Sequence, residues 1–244
     1  MGQVRADVLL VRRGLFESRA KAQAAIEAGG VAAGGAPVSR AAQMLDEDAE
    51  IVAAPAHPWV GRGALKLDHA LSIWPVEAAG RVVLDVGAST GGFTEVCLAR
   101  GAARVYAVDV GRDQLHASLR TDPRVADLSE TDARALTPDL VPEAPSLVVC
   151  DVSFISLVKA LPAALDLAAP GADLISLVKP QFEVGPAALG KGGRVREAEA
   201  REGAVIAVRA WLETRGWVVR AAVESPVRGG EGAIEHLVWA RKGG

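Results

Sequence analysis

Apolar and polar residues alternate along most of the chain in two distinct patterns, one typical of strands and one of helices. From residue 63 onward, short apolar runs alternate with longer segments in which apolar residues recur every three or four positions. The predicted strands are Arg81–Val86, Arg104–Val110, Leu147–Val152 and Asp173–Val178, and the predicted helices are Gly63–Trp74, Gly92–Arg100, Phe154–Ala168 and Arg196–Arg215. This alternation predicts an α/β fold, with a parallel sheet covered by helices on both faces.

The pattern changes near the C-terminal end of the chain. Two strand-like runs, Trp217–Val223 and Ile234–Ala240, are separated only by the turn-rich segment Ser225–Gly232. A connection this short joins antiparallel strands, because parallel strands need a long crossover. We therefore expect a Rossmann-like sheet that ends in an antiparallel hairpin.

The first fifty or so residues predict a separate small domain. Two short helices are expected, and Ser18, just before the second, is of the type preferred at a helix N-cap. Glycine-rich turns around a short strand follow in Gly29–Gly35, and the prolines of Pro55–Pro58 disfavour helix. The predicted organisation is a small α+β domain at 1–53, a linker at 54–62 and a larger domain at 63–244.

Charge suggests what the small domain binds. The whole chain has 27 basic and 30 acidic residues, for a net charge of −3, so binding to nucleic acid would need a local basic patch. Residues 1–45 carry six basic and three acidic side chains. Arg19 and Lys21 lie at the start of the second predicted helix, where backbone N–H groups favour phosphate. The small domain is thus a candidate for binding an RNA backbone, and a solvated charged helix face is the alternative.

Hydropathy and cysteine content argue against several classes of protein. No apolar run approaches the roughly 18–20 residues of a membrane span, and the N-terminus lacks the pattern of a signal peptide. We therefore expect a cytoplasmic protein that does not bind membranes. Cys97 and Cys150 are far apart and lack metal-ligand spacing, so neither a disulfide framework nor a metal site is predicted.

A glycine-rich turn after the first strand of the larger domain is a candidate cofactor site. The stretch Asp85–Phe93 joins a strand to a helix, and glycines there let the backbone approach a ligand closely. Asp109 ends the second strand, where a carboxylate can accept hydrogen bonds from ribose hydroxyls, and Asp132 could reach an adenine amino group. The predicted cofactor contacts are Asp85, Gly87, Ala88, Ser89, Thr90, Gly91, Gly92, Phe93, Asp109, Asp132 and Asp151.

The details of this turn favour a nucleoside cofactor without phosphate. Ser89 stands where a dinucleotide fingerprint has its second glycine, and no Gly-Lys-Ser/Thr follows as in a phosphate-binding loop. S-adenosylmethionine carries no phosphate, and its amino-acid end suits a small Gly/Ser/Thr turn. A dinucleotide site and a turn that binds nothing are the alternatives.

Four charged residues are expected to meet beside this turn. Asp151 and Lys179 end parallel strands, Glu235 begins the antiparallel last strand at the same edge, and Lys66 lies on the helix before the sheet. Ligands bind at this edge of such sheets. The set suits methyl transfer to a ribose hydroxyl, with Lys179 taking the proton and the cation of Lys66 favouring the neutral amine. Asp151 and Glu235 would orient the lysines and the hydroxyl, whereas separate surface ion pairs are the alternative.

Other methyl acceptors match the sequence less closely. Methylation of an exocyclic amine usually goes with Asn/Asp-Pro-Pro-Tyr/Phe at the strand end, whereas residues 151–154 read Asp-Val-Ser-Phe. Methylation of a base carbon usually needs a cysteine nucleophile. Strand alternation predicts that Cys150 points into the core instead.

Taken together, these motifs resemble known families. Residues 5–51 resemble S4-type RNA-binding domains through Arg5-x-Asp7 and Ser18-Arg19-x-Lys21-Ala22, although Gly34-Gly35 replaces the common Asn-Gly turn. Residues 59–241 resemble FtsJ-like methyltransferases, and the whole chain is similar to the TlyA (hemolysin A) family. The strings that carry this second resemblance are WVGRGALKL at 59–67, DVGASTGGF at 85–93, DVSFIS at 151–156 and LVKPQFE at 177–183.

The resemblance implies a class I methyltransferase fold and S-adenosylmethionine-dependent 2′-O-methylation of cytidine ribose in ribosomal RNA. It places a Lys-Asp-Lys-Glu tetrad on Lys66, Asp151, Lys179 and Glu235, and it implies ribosomal RNA or ribosomal subunits as partners. Relatives often carry Asn at Asp132, which weakens the adenine contact there. The expected RNA contacts are Arg5, Ser18, Arg19, Lys21, Arg62, Lys191 and Arg194.

Two other functions stay open, and so does the oligomeric state. One is an RNA- or ribosome-binding protein that keeps the methyltransferase fold without turnover. The other is a membrane-active hemolysin.

Overall fold

The computed structural model describes residues 2–185, 189, 190, 195, 197–229 and 232–243. The chain forms two compact units, Met1–Pro58 and Trp59–Gly244. The division between them falls inside the segment 54–62 that the prolines mark as a linker.

The smaller unit packs two helices with short antiparallel strands. Its elements are β1 (Gln3–Arg5), α1 (Ala6–Arg12), α2 (Arg19–Glu27), β2 (Val31–Ala33), β3 (Ala36–Pro37), β4 (Met44–Asp46) and β5 (Ile51–Ala53). Strand β1 pairs with β4, while β2 pairs with both β3 and β5. The Ser18 hydroxyl accepts a hydrogen bond from the Lys21 N–H at 3.3 Å, so Ser18 is the N-cap that its residue type predicts.

A buried carboxylate ties the two helices of the smaller unit together. The Asp7 side chain is fully buried and accepts hydrogen bonds from Arg5 at 3.0 Å, Arg19 at 2.7 Å and Gln23 at 2.9 Å. The hydrogen bond from Arg5, helped by those from Arg19 and Gln23, holds the pKa of Asp7 well below its usual range. A buried charge with three donors is stable in its ionised form.

Asp7→Asn should therefore destabilise the smaller unit by about 1–3 kcal/mol at neutral pH. Because the pKa of Asp7 is lower in the folded than in the unfolded chain, its contribution is present above the unfolded pKa of about 3.9. This contribution to stability is lost as the pH falls below that value. The difference in the free energy of unfolding between the variant and the wild type should therefore shrink in acid. Amide hydrogen exchange around Leu9, a core residue of this unit, measures the effect in the full chain.

The exposed carboxylate of Glu17, which pairs with Lys21 at 2.6 Å, supplies the control. Glu17→Gln should change the opening free energy derived from the same exchange rates by less than about 0.5 kcal/mol. Equal effects of the two substitutions would show that Asp7 does not hold these helices.

The larger unit is built on a sheet that has seven strands within the described residues. Its strands are β6 (Val82–Val86), β7 (Arg104–Val108), β8 (Val125–Leu128), β9 (Leu147–Cys150), β10 (Asp173–Val178), β11 (Trp217–Glu224) and β12 (His236–Lys242). Its α-helices are α3 (Ala64–Ile73), α4 (Gly92–Ala99), α5 (Ala117–Arg120), α6 (Leu157–Ala160), α7 (Pro162–Leu167), α8 (Pro180–Glu183) and α9 (Ala198–Thr214), and Ala133–Ala135 form a 3₁₀ turn.

Strand order in this sheet is β11-β12-β10-β9-β6-β7-β8. The pairs from β10 through β9, β6 and β7 to β8 are parallel, and β12 is antiparallel to both β10 and β11. The predicted Rossmann-like sheet with a C-terminal antiparallel hairpin is thus confirmed.

Hydrophobic cores lie on both faces of the sheet. In β6, Val83 faces one core with Leu67 of α3 and Phe93 of α4, while Leu84 faces the other with Leu212 of α9. Successive strand residues point to opposite faces, so the continuous apolar run of a central strand serves both cores. Cys150 is buried in the second core, as strand alternation predicts.

Several predicted elements differ from the structure in their bounds, and two of these differences affect candidate site residues. The helix expected over Phe154–Ala168 is instead two short helices, α6 and α7. Phe154 has φ of +66°, which is incompatible with a right-handed helix, and Pro162 has no N–H for a continuous one. The last strand begins at His236, so Glu235 precedes it rather than opening it.

Candidate active site

The glycine-rich turn after β6 has a backbone that few side chains would permit. Gly87 has φ of +84°, and a Cβ there would lie 2.9 Å from the Asp151 carbonyl oxygen. Gly91 has φ of +95°, and a Cβ there would lie 2.2 Å from a methyl of Leu119. The turn therefore needs glycine at both positions to pack this tightly against the rest of the sheet edge.

Asp109 is held rigidly opposite this turn. One carboxylate oxygen accepts a hydrogen bond from the Ser89 N–H at 2.8 Å and the other accepts one from the Gly111 N–H at 2.7 Å. The side chain lines a cavity of about 520 Å³, within the roughly 300–1,000 Å³ typical of ligand pockets. Each carboxylate oxygen has a second lone-pair direction, so Asp109 can still accept from a ligand.

The cavity beside Asp109 combines an apolar wall with a few polar groups. Its apolar residues lie at or after the ends of β6, β7 and β9, in the 3₁₀ turn and in α6: Val86, Val108, Val110, Ala133, Val152, Phe154, Ile155 and Ala160. Asp132 also lines it, but this carboxylate pairs with Arg134 at 2.5 Å, which lowers the pKa of Asp132 to about 2. The predicted adenine contact through Asp132 would therefore compete with its ion pair to Arg134.

Asp85 lies behind the turn and does not line this cavity. Its Oδ2 accepts a hydrogen bond from the Thr94 hydroxyl at 2.7 Å, while its Oδ1 has no hydrogen-bond partner among the described residues. Complete burial raises the pKa of Asp85 to about 7, and the nearby charge of Asp151 adds to the shift. Asp85 is thus placed to shape the turn rather than to contact a ligand directly.

Asp85 should make the larger unit less stable as the pH rises. Its pKa of about 7 in the folded chain lies above the unfolded value of 3.8, so folding takes up a proton between these values. The free energy of unfolding should then fall by about 1.4 kcal/mol per pH unit near pH 5–6, and Asp85→Asn should remove that slope. Urea unfolding at pH 4.5, 5.5 and 6.5 measures both. A slope that the variant leaves unchanged would refute this assignment.

A second, smaller cleft of about 230 Å³ lies on the other side of the turn. Ala88, Thr90, Gly92 and Phe93 line it together with Lys179, and it shares Gly87, Ser89, Asp151 and Ser153 with the larger cavity. The two spaces thus meet at Asp151. Of the residues predicted to contact the cofactor, Asp85 and Gly91 are the two that line neither space.

Lys66, Asp151, Lys179 and Glu235 lie together at this meeting point. Asp151 forms ion pairs with both lysines: Lys179 Nζ lies 2.6 Å from its Oδ1 and Lys66 Nζ lies 3.7 Å from its Oδ2. Lys66 also donates to Glu235 Oε2 at 2.5 Å. The two lysines and Glu235 are buried. With the partly buried Asp151, two basic and two acidic side chains form one paired group, where each charge offsets the cost of burying another.

Two neighbours of this group were not predicted from the sequence as site residues. The Ser153 hydroxyl accepts a hydrogen bond from Lys179 Nζ at 2.7 Å, which fixes the direction of the amine. Phe154 is 92% exposed, lines the larger cavity, and has its ring centroid 5.4 Å from that of Phe182. Both residues lie in the string DVSFIS, but their spacing alone gives no sign of a left-handed backbone at position 154.

Both units of the chain match known protein families. Residues 59–242 match the FtsJ-like methyltransferase family, and residues 4–51 match the S4 domain family. The chain is 46% identical over 241 residues to a Mycobacterium tuberculosis protein named 16S/23S rRNA (cytidine-2′-O)-methyltransferase TlyA, covering 98% of this chain and 90% of the relative. The chain belongs to the TlyA family of FtsJ-like methyltransferases.

Other members of the TlyA family agree with this assignment. Bacillus subtilis YqxC, a candidate rRNA methyltransferase by name, is 41% identical over 245 residues, covering 98% of this chain and 87% of the relative. A solved structure of a candidate hemolysin from Streptococcus thermophilus is 38% identical with a TM-score of 0.78, covering 100% of this chain and 90% of that one. The family resemblance drawn from the motifs is therefore confirmed.

The basic residues of the S4 domain that are predicted to bind RNA already form ion pairs within this domain. Arg5 and Arg19 bind Asp7, and Lys21 lies 2.6 Å from Glu17. The Ser18 hydroxyl caps α2. Each of these three cations is still 39–56% exposed, so each retains a face toward solvent.

The remaining predicted RNA contacts belong to the larger unit. Arg62 is exposed and lines the smaller cleft beside Asp151. Lys191 and Arg194 lie outside the described residues.

In the described part of the chain, we find no helix both long and apolar enough to cross a bilayer. The same residues contain no group of three or more His, Cys, Asp or Glu side chains able to hold a metal ion.

Proposed function

We propose that this chain uses S-adenosylmethionine to methylate the 2′-hydroxyl of a cytidine in ribosomal RNA. The observation that carries the proposal is the position of Asp151 between two buried lysines, where the two clefts beside the glycine-rich turn meet. The printed activity of the M. tuberculosis relative, a 16S/23S rRNA (cytidine-2′-O)-methyltransferase, supports the same substrate.

The larger cavity fits the adenosyl part of this cofactor. Asp109 would accept hydrogen bonds from the ribose hydroxyls, and the apolar wall formed by Val86, Val108 and Ile155 would cover the adenine. Among the described residues, Arg134 is the one cation that lines the cavity, and it is paired with Asp132, which suits a cofactor without phosphate. When bound, the cofactor supplies a methyl group on a sulfonium, ready for displacement.

Lys179 is the proposed proton acceptor. Its amine is held from two sides, by Asp151 at 2.6 Å and by Ser153 at 2.7 Å, so its position is defined to within a narrow range. A neutral amine there can take the proton of a 2′-hydroxyl as the oxygen attacks the methyl carbon. The displacement is in line, so much of its rate should come from such positioning.

Lys66 and Glu235 support this arrangement through the contact of Lys66 with Asp151. Lys66 lies between the two carboxylates and brings positive charge to the second oxygen of Asp151. That charge offsets part of the negative charge of the carboxylate that faces Lys179. Glu235 in turn keeps the buried Lys66 paired and in place.

Phe154 is the proposed contact for the target base. A ring that is 92% exposed at the rim of the cavity exposes apolar area to water unless a ligand covers it. Aromatic side chains of this kind stack on bases of unpaired RNA. The left-handed backbone of Phe154, with φ of +66°, is the type of strain that clusters at functional sites.

The S4 domain is the proposed second contact with ribosomal RNA. Its cations Arg5, Arg19 and Lys21 each keep an exposed face, which can bind phosphate while the carboxylate partner holds the other face.

The direct test is methyl transfer from labelled S-adenosylmethionine to isolated ribosomal subunits by the purified full chain. Digestion of the labelled RNA to nucleosides should give 2′-O-methylcytidine. Label in a base-methylated nucleoside would refute the ribose acceptor. RNA retention without any label would favour the non-catalytic alternative. Lysis of RNA-free liposomes by the same preparation would favour a hemolysin.

A further inference from the structure

The turn between β11 and β12 brings an arginine to the mouth of the site. Both ends of this turn are tied by backbone hydrogen bonds: Ser225 N–H to the Glu235 carbonyl at 2.8 Å, and Gly229 N–H to the Ala233 carbonyl at 2.9 Å. Arg228 lies between these two bonds. Its carbonyl oxygen accepts a hydrogen bond from the guanidinium of Arg62. The position of Arg228 is thus fixed relative to Glu235 and Arg62.

A third and more open cleft lies beside Arg228, with a volume of about 610 Å³. It is lined by Arg62, Gly63, Lys66, Asp151, Arg228, Gly229 and Gly232. Among the described residues that line it, Asp151 carries the carboxylate and pairs with two lysines, and Arg62 and Arg228 add positive charge to this space. Its three glycines leave room for a polymer backbone to come close.

The glycine at position 229 also connects this cleft to the tetrad. A Cβ at Gly229 would lie 2.1 Å from Glu235 Oε1. The turn therefore packs directly on the carboxylate that holds Lys66, and Arg228 lines the same cleft as Lys66 and Asp151.

We propose that Arg228, with Arg62, binds the backbone phosphate next to the target ribose. This inference rests on the proposed function and adds a positioning residue to it. The phosphate on the 3′-oxygen is attached one carbon away from the 2′-hydroxyl, so holding that phosphate orients the attacking oxygen. Arg228 is half-exposed and pairs with Glu224 at 3.2 Å, which leaves other N–H groups of its guanidinium for a phosphate.

The test compares Arg228→Gln with Arg209→Gln in steady-state methyl transfer at several salt concentrations. Arg209 forms a similar exposed pair with Glu213, four residues away at 3.1 Å on α9, and is a matched control. Arg228→Gln should raise KM for the RNA about tenfold and make the slope of log affinity against log salt shallower by about 0.7–0.9, the loss of one phosphate contact. Arg209→Gln should change neither, and KM for S-adenosylmethionine should be unaffected in both.

Two results would overturn the assignment of Arg228. One is a salt slope equal to that of Arg209→Gln. The other is a fall in kcat with an unchanged slope, since that would mean the turn acts only by packing on Glu235. Equilibrium binding of ribosomal RNA over the same salt series needs no turnover. It therefore tests Arg228 even if methyl transfer to ribosomal RNA itself is not found.

Discussion

Replacing Lys179 with alanine is expected to reduce methyl transfer by a factor of about 10²–10⁴, the usual contribution of a positioned acid or base. Its amine is the proposed proton acceptor, and removing it leaves Asp151 and Ser153 facing a space with no base. Cofactor binding should persist, because the adenosyl cavity beside Asp109 does not include Lys179. Single-turnover methyl transfer and equilibrium binding of S-adenosylmethionine measure the two effects separately.

Lys179→Arg separates proton acceptance from charge. An arginine keeps the cation beside Asp151 but cannot lose a proton, so this variant should be as inactive as Lys179→Ala. Lys159→Ala, at an exposed lysine of α6, should retain full activity. Activity in Lys179→Arg would show that Lys179 provides only charge, and the base would have to be another group.

Much of the fold follows from the hydrophobic pattern, because each central strand needs a continuous apolar run to serve two cores. Strand β10 shows this most clearly, with Leu174 and Val178 in one core and Ile175 and Leu177 in the other. The break between α6 and α7 was not predicted, because the apolar spacing continues through Pro162. The short strands β4 and β5 of the smaller unit are only three residues each, too few to show a period.

The meeting of these four charged residues at one sheet edge could be predicted because it depends on topology. Carboxyl ends of parallel strands and the start of an antiparallel strand share one edge, which brings Asp151, Lys179 and Glu235 together. Pairing between side chains could not be predicted in the same way. The sequence shows that Arg5 and Arg19 are basic, but it does not show that Asp7 is buried between them.

The sequence also gives no sign that Arg228 is a candidate site residue. It lies in a turn-rich segment beside other polar residues, and nothing in the spacing links it to Arg62, 166 residues earlier in the chain. The contact exists only because the hairpin folds back over the edge of the sheet where α3 begins.

Glu235→Leu is expected to lower the free energy of unfolding of the larger unit by about 3–5 kcal/mol, because it leaves the buried cation of Lys66 without its closest partner. That partner is 2.5 Å away, whereas Asp151 is 3.7 Å away and already binds Lys179. All five tryptophans belong to residues 59–244, so tryptophan fluorescence in urea reports unfolding of this unit. Asp166→Leu, which breaks the exposed pair with Arg215, should cost less than about 1 kcal/mol and is the control.

The double variant Lys66→Met/Glu235→Leu separates the effect of this ion pair on stability from its effect on methyl transfer. Replacing both members of a buried ion pair by apolar side chains of similar size is often neutral, so the double variant should recover to within about 1 kcal/mol of wild type. Methyl transfer should stay lost, because Asp151 would lack the second cation that pairs with it beside Lys179. Recovery of activity along with stability would show that Lys66 and Glu235 only hold the fold. A Glu235→Leu variant as stable as Asp166→Leu would show that the pair is not the strongly coupled buried contact that its geometry indicates.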